Sequence, residues 1–122
     1  MQHTVKKNIN FSGPGIHTGA ITNMTLKPAK ENSGIRFIRI DLEGKPEIKA
    51  DIDNVFATER STSLKKGDAE IHTVEHILAA ITGANIDNII IEVDNIEIPI
   101  LDGSAIDFYN LIISSGIKKL DA

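Results

Sequence analysis

The chain has 122 residues, 41% of them hydrophobic and 25% charged, with a formal net charge of -4, the size and composition of one globular domain able to bury a core. It has no basic run, no tryptophan, one tyrosine and four phenylalanines, so it lacks the basic patch and stacking aromatics of a nucleic-acid surface, and nucleic acid is not an expected partner. The absence of cysteine excludes disulfides, thiolate zinc sites and thiol nucleophiles, leaving His, Asp and Glu as candidate metal ligands.

The N-terminal "MQHTVKKNIN" has no apolar h-region of the signal-peptide kind. The longest apolar runs fall far short of the roughly 20 residues of a spanning helix, so no transmembrane segment and a cytoplasmic location are expected. In chain order, "TVKKNINF", "AITNMTLKPA" and "GIRFIRIDL" predict strands, being rich in Ile, Thr, Val and Phe and separated by Gly, Pro and Asn clusters. Between the first two lies "FSGPGIHTG", which suits a tight turn or bulge better than a phosphate loop, because no helix pattern follows it. A first helix is predicted from about Val74 to Ile81, stopping before Gly83, with Thr73 as its N-cap. "NIIIEVDN" then alternates Ile89, Ile91 and Val93 on one face, as a half-buried strand does. A second helix follows "DGSA", with Ser104 as N-cap and Gly116 just past "AIDFYNLIISS". The order implies an α+β domain of two layers, a mostly antiparallel sheet with two helices packed on one face.

The chemistry concentrates in "IHTVEHILAA", residues 71–80. Read literally, His72, Glu75 and His76 spell H-x-x-E-H, an inverted zincin arrangement in which two histidines one helical turn apart hold zinc and the glutamate acts as base. That reading, a metallopeptidase fragment, needs His72 inside the helix, whereas the preceding "AEI" reads as the end of a strand and leaves His72 outside the first turn. The plain alternative is a partly exposed histidine and a glutamate at a helix start, where the dipole favours negative charge. Asp102 in "LDGSA" reads as part of a turn leading into the second helix.

A wider pattern decides between them. "GPGIHTG" at 13–19, "TLKPA" at 25–29, "RIDLEG" at 39–44, "TVEH" at 73–76, "GANIDNIIIEVD" at 83–94 and "EIPILDGSA" at 97–105 together resemble the N-terminal domain of the zinc-dependent UDP-3-O-acyl-N-acetylglucosamine deacetylases of lipid A biosynthesis. The resemblance implies that Glu75 is the general base and His76 a ligand of Zn2+. The family usually has serine where this chain has His72, so the resemblance assigns His72 no role. It implies that residues 57–64, "ATERSTSL", lie near the substrate, with backbone contacts at Ser61 and Thr62; Arg60 and Ser61 replace the apolar residue and cysteine of many relatives.

The family draws its other two zinc ligands, a histidine and an aspartate at H-x-x-x-D spacing, from a second domain, which also supplies a histidine acid and much of the nucleotide and acyl-chain pocket. Residues 1–122 are thus expected to form the first domain, with the second, C-terminal catalytic domain absent from this chain and the isolated fragment inactive. His3 and His17 are the remaining histidines that could substitute as ligands. His17 could also support the wall of the site or serve simply as a hydrogen-bonded turn residue. The chemistry is consistent with the resemblance: amide hydrolysis needs a nucleophile, a proton acceptor and an electrophile, and a hydrated zinc ion beside a carboxylate provides all three. A non-catalytic binding or regulatory domain that kept the fold is the competing class.

Overall fold

The computed structural model describes residues 1–57, 62–99 and 105–122. The fold is α+β. Strand β1 (His3–Val5) is followed by the hairpin β2 (Ile9–Pro14) and β3 (Ile21–Pro28), then by β4 (Ile35–Arg39) and β5 (Glu47–Lys49). After a 3-10 turn at Ile52–Asn54 come β6 (Val55–Ala57), β7 (Thr62–Lys66) and β8 (Ala69–His72). Helix α1 (Glu75–Gly83), β9 (Ile89–Val93), α2 (Ala105–Ser115) and β10 (Ile117–Lys119) complete the chain.

Among the described residues these strands form a five-stranded sheet of order β2-β3-β9-β4-β5, a three-stranded sheet β6-β7-β8 and the pair β1-β10. All pairs are antiparallel except β4 with β9. "TVKKNINF" is therefore two strands in different sheets, not one. The two lysines and Asn8 interrupt the apolar alternation: the Lys6 N–H, donating to the Gly116 carbonyl, carries the β1–β10 register one pair further, and the chain pairs with β3 only from Ile9.

The register explains the core. Ile9, Leu26, Ile91, Phe37 and Ile48 stand opposite one another across all five strands of the main sheet, and each is buried. Because side chains alternate with period two, this row places its neighbours Met24 and Val93 on the same face, and both are buried too. The alternation expected of Ile89, Ile91 and Val93 is borne out, since all three are buried while Ile90 and Glu92 are only partly so. Helix α2 turns Phe108 and Ile112 into this core, and the Phe108 ring meets Phe11 of β2 at 5.3 Å, tilted by 46°. Helix α1 contributes Ile77, Ala80 and Ile81.

The helix ends differ from expectation in one case and match it in another. Gly83 is the last residue of α1 and does not stop it. Asn85 takes the left-handed conformation, φ 57°, with Asn85 N–H donating to the Thr82 carbonyl and Ile86 N–H to the Ile81 carbonyl, which is a Schellman closure with asparagine in the usual glycine position. Gly116, at φ 98°, does close α2 as expected. The expected N-cap Ser104 and turn residue Asp102 lie outside the described residues.

Arg39, which ends β4 on the core-facing row, is buried. Its Nε and Nη2 grip Asp41 at 2.9 and 2.7 Å, and Nη1 donates to the Glu70 carbonyl of β8 at 2.7 Å. A fork of this kind satisfies a buried guanidinium and fastens the three-stranded sheet to the main one.

Candidate functional site

The site residues stand on a sharp corner where β8 hands over to α1. Strand β8 ends at His72, whose N–H donates to the Ile96 carbonyl and whose carbonyl accepts from Ile98 N–H. Thr73 then turns the chain in the left-handed region at φ 62°, a conformation that costs a β-branched residue of order 1–3 kcal/mol. Val74 follows as the residue flanking the helix, and no side chain caps it. Thr73 is therefore not the N-cap that its identity suggests, because its hydroxyl is directed elsewhere.

Glu75 is the first residue of α1 and His76 the second, and both are half-buried. The Glu75 Oε1 atom is buried and has no hydrogen-bond partner among the described residues. Asp107 Oδ2 and Ser63 Oγ share this condition, and a buried polar atom of this kind ordinarily finds a partner. His76 lines a small cavity with Thr73, Ile98, Pro99 and Phe108. A larger surface hollow of about 600 Å³, lined by Pro28, Lys30, Asn32 and Lys118 among others, includes neither Glu75 nor His76.

The Thr73 hydroxyl donates to Glu97 Oε2 at 2.6 Å. Glu97 is buried, and its carboxylate also accepts from the backbone N–H groups of His17, at 3.1 and 3.2 Å, and Thr18, at 2.9 Å. "FSGPGIHTG" thus ends β2 with its first four residues and makes the turn of the β2–β3 hairpin with residues 15–19, and that turn is docked onto a buried anion. Gly15 is required there because a Cβ would overlap Glu97 Oε1. Burial raises the Glu97 carboxyl, but the donors from Thr73, Thr18 and His17 outweigh it and hold the group below the usual glutamate range. Sequence reasoning missed Glu97, for which the one local signal is a carboxylate set between Ile96 and Ile98 beside Pro99.

Asp41 is likewise held below the usual aspartate range, chiefly by the Arg39 guanidinium. Both carboxylates have folded values below their unfolded ones. Their stabilisation is therefore complete above the ordinary carboxylate range of about 4 and is lost as pH falls through the lowered values. The urea midpoint should accordingly be lower at pH 3 than at pH 7, and Glu97→Gln should reduce that difference. A midpoint that does not move with pH would contradict both assignments.

The other sequence candidates separate clearly. His72 lies on β8, outside the helix, with Nε2 3.3 Å from Glu70 Oε1 and its ring edge-on to Phe56 at 6.3 Å. The helix-borne H-x-x-E-H pair therefore does not form. His17 is in the hairpin turn and held through its N–H. His3 pairs with Asp87 at 3.7 Å on β1. The Thr62 carbonyl, at the start of β7, accepts from Val74 N–H at 3.1 Å, which brings this end of residues 57–64 against the base of α1. Ser61 lies outside the described residues.

Among the described residues no three His, Asp or Glu side chains gather as a metal site. By residue type His76 and Glu75 nevertheless fit one edge of a zinc site, an imidazole and a carboxylate at consecutive positions about 100° apart around a helix start. Alone, one histidine cannot close a site that ordinarily takes about three protein ligands. No helix among the described residues is long and apolar enough to cross a membrane.

The sequence model of the family described as UDP-3-O-acyl N-acetylglycosamine deacetylase matches residues 2–122. Curated relatives named UDP-3-O-acyl-N-acetylglucosamine deacetylase include those of Thioalkalivibrio sulfidiphilus, 47% identical over 99% of this chain and 40% of the relative, and Methylococcus capsulatus, 48% identical over 99% and 40%. The Chlamydia caviae protein is 49% identical over 95% of this chain and 41% of its own length. The chain thus spans about 40% of the length of the curated relatives it matches.

Proposed function

Because the chain belongs to the UDP-3-O-acyl-N-acetylglucosamine deacetylase family, we propose that it is the N-terminal domain of a cytoplasmic zinc-dependent amide hydrolase of lipid A biosynthesis. The reaction releases acetate from UDP-3-O-acyl-N-acetylglucosamine. Glu75 is the general base and His76 one zinc ligand, with the remaining ligands contributed by a second domain. The observation that carries this reading is the buried Glu75 oxygen, without a hydrogen-bond partner among the described residues, next in sequence to His76 at the start of α1. Zinc, when bound, supplies the electrophile that polarises the amide carbonyl.

Glu75 accepts the proton of the attacking water through Oε1, the oxygen to which no donor among the described residues bonds. His76 presents its ring from the adjacent helical position, and the left-handed Thr73 corner sets the angle at which both leave the sheet. The backbone around Ser61 and Thr62 borders the substrate, consistent with the contact of the Thr62 carbonyl with Val74 N–H.

The test compares this chain with a protein in which it is joined to the second domain of a relative. The joined protein should bind one zinc and release acetate. The 122-residue chain should fold, release none, and bind zinc only weakly in titration calorimetry after chelator treatment, because a single histidine gives too few ligands. A stoichiometric submicromolar site in the isolated chain would overturn the shared-site reading. A joined, zinc-loaded protein without acetate release would favour the non-catalytic class.

A further inference from the structure

The Glu97 carboxylate joins segments far apart in the chain. It accepts from His17 and Thr18 N–H groups 80 and 79 residues away and from the Thr73 hydroxyl 24 residues away. Its own backbone is fixed as well: the Thr22 hydroxyl donates to the Glu97 carbonyl at 2.7 Å, and the flanking Ile96 and Ile98 bond to both sides of His72. Thr73 sits in a backbone region that a β-branched residue holds only when its surroundings over-determine it, and Glu97 is the group that reaches its side chain. Glu75 and His76 stand two and three residues beyond Thr73.

We propose that Glu97 is a positioning residue, whose buried carboxylate ties the glycine-rich hairpin turn to the Thr73 corner and thereby fixes where Glu75 and His76 stand. The proposal rests on the reading of Glu75 as base and His76 as ligand, but its geometry can be tested apart from activity. The Glu97 carboxylate hydrogen-bonds to Thr73, His17 and Thr18 and, among the described residues, to neither Glu75 nor His76. It acts through Thr73, by holding a strained corner in one orientation instead of letting α1 pivot on Val74, which has no side-chain cap of its own. Gly15 belongs to the same device, since any side chain there would displace the carboxylate.

Three variants separate positioning from simple stability. Thr73→Gly removes the hydroxyl while making the left-handed backbone easy, so the corner loses its tether without acquiring strain. Thr73→Ser keeps the hydroxyl. Glu97→Gln replaces the purely accepting carboxylate with an amide whose NH2 must face a donor.

In isotope-labelled 122-residue chain, the His76 ring and Glu75 amide resonances should move in Thr73→Gly and in Glu97→Gln, and return toward the native positions in Thr73→Ser. If Glu97→Gln does not fold, the two Thr73 variants decide. His76 and Glu75 resonances that stay in place in folded Thr73→Gly would overturn the proposal. In the protein joined to a second domain, Thr73→Gly should lower kcat by about ten- to a hundredfold, the scale of a small misplacement of catalytic groups, with KM little changed and Thr73→Ser recovering most of the loss. An undiminished kcat in Thr73→Gly would also overturn it. Absence of deacetylation in the unsubstituted joined protein would instead sink the proposed function, and the resonances would still decide whether Glu97 positions the corner.

Discussion

Glu75→Gln, in the protein completed by a second domain, should leave folding and zinc content near normal while turnover falls by about 10² to 10⁴, the usual cost of removing a general base. Glutamine nearly preserves volume and keeps an oxygen and a nitrogen where the two carboxylate oxygens were. No hydrogen bond to Oε1 from the described residues is lost, because none is made. What glutamine cannot do is accept a proton. That interaction is realised only as the reaction proceeds, so the loss should appear in kcat and in kcat/KM alike, with KM nearly constant. Steady-state acetate release measured beside zinc by mass spectrometry decides the matter. Full zinc with undiminished kcat would reduce Glu75 to a charge at a helix start, whereas loss of zinc would make it a ligand.

The parts of the fold that could be read in advance are those governed by local periodicity. Ile89, Ile91 and Val93 alternate in sequence and lie in one buried line in space, because a strand with one covered face imposes period two on its own residues. The glycine-rich hairpin turn and the Gly116 closure of α2 were legible for the same reason: both are backbone requirements satisfied within a few residues.

Tertiary contacts decided the rest. Gly83 has the identity of a helix stop, yet it sits beside the Tyr109 ring, with a Cβ position 3.6 Å from Cδ1. The chain leaves α1 only at Asn85, where burying Ile86 beside Ile81 completes the closure. Thr73 has the identity of an N-cap, but the buried Glu97 carboxylate, past the end of β9, claims its hydroxyl. Of the candidate site, Glu75 and His76 were named through the family resemblance carried by "TVEH" and the segments around it, not by their spacing. Glu97 was not named, since its three donors come from two other segments and no short pattern links them.

Between the two histidines of "IHTVEH", the structure and the four-residue spacing lead to opposite expectations, and a pair of substitutions in the completed protein separates them. His72→Ser should be nearly silent. The His72 ring is about one-third exposed, and its contact with Glu70 at 3.3 Å is a partly solvated pair of the kind that contributes about 0–1 kcal/mol. The bonds that hold this position in β8 and against residues 96–98 are all made by its backbone, which serine keeps.

His76→Ala removes a half-buried ring from the cavity formed by Thr73, Ile98, Pro99 and Phe108 and, on the proposed function, one of about three protein ligands. Its loss of zinc affinity should exceed the roughly 10- to 100-fold that follows removal of a mere outer-shell partner, and acetate release should fall with it. Zinc content after dialysis against a graded chelator, measured for both variants beside the parent, reads the difference directly. Equal zinc loss in the two would mean that His72 leaves β8 to join His76 on the metal, and that the corner at Thr73 unwinds to let it.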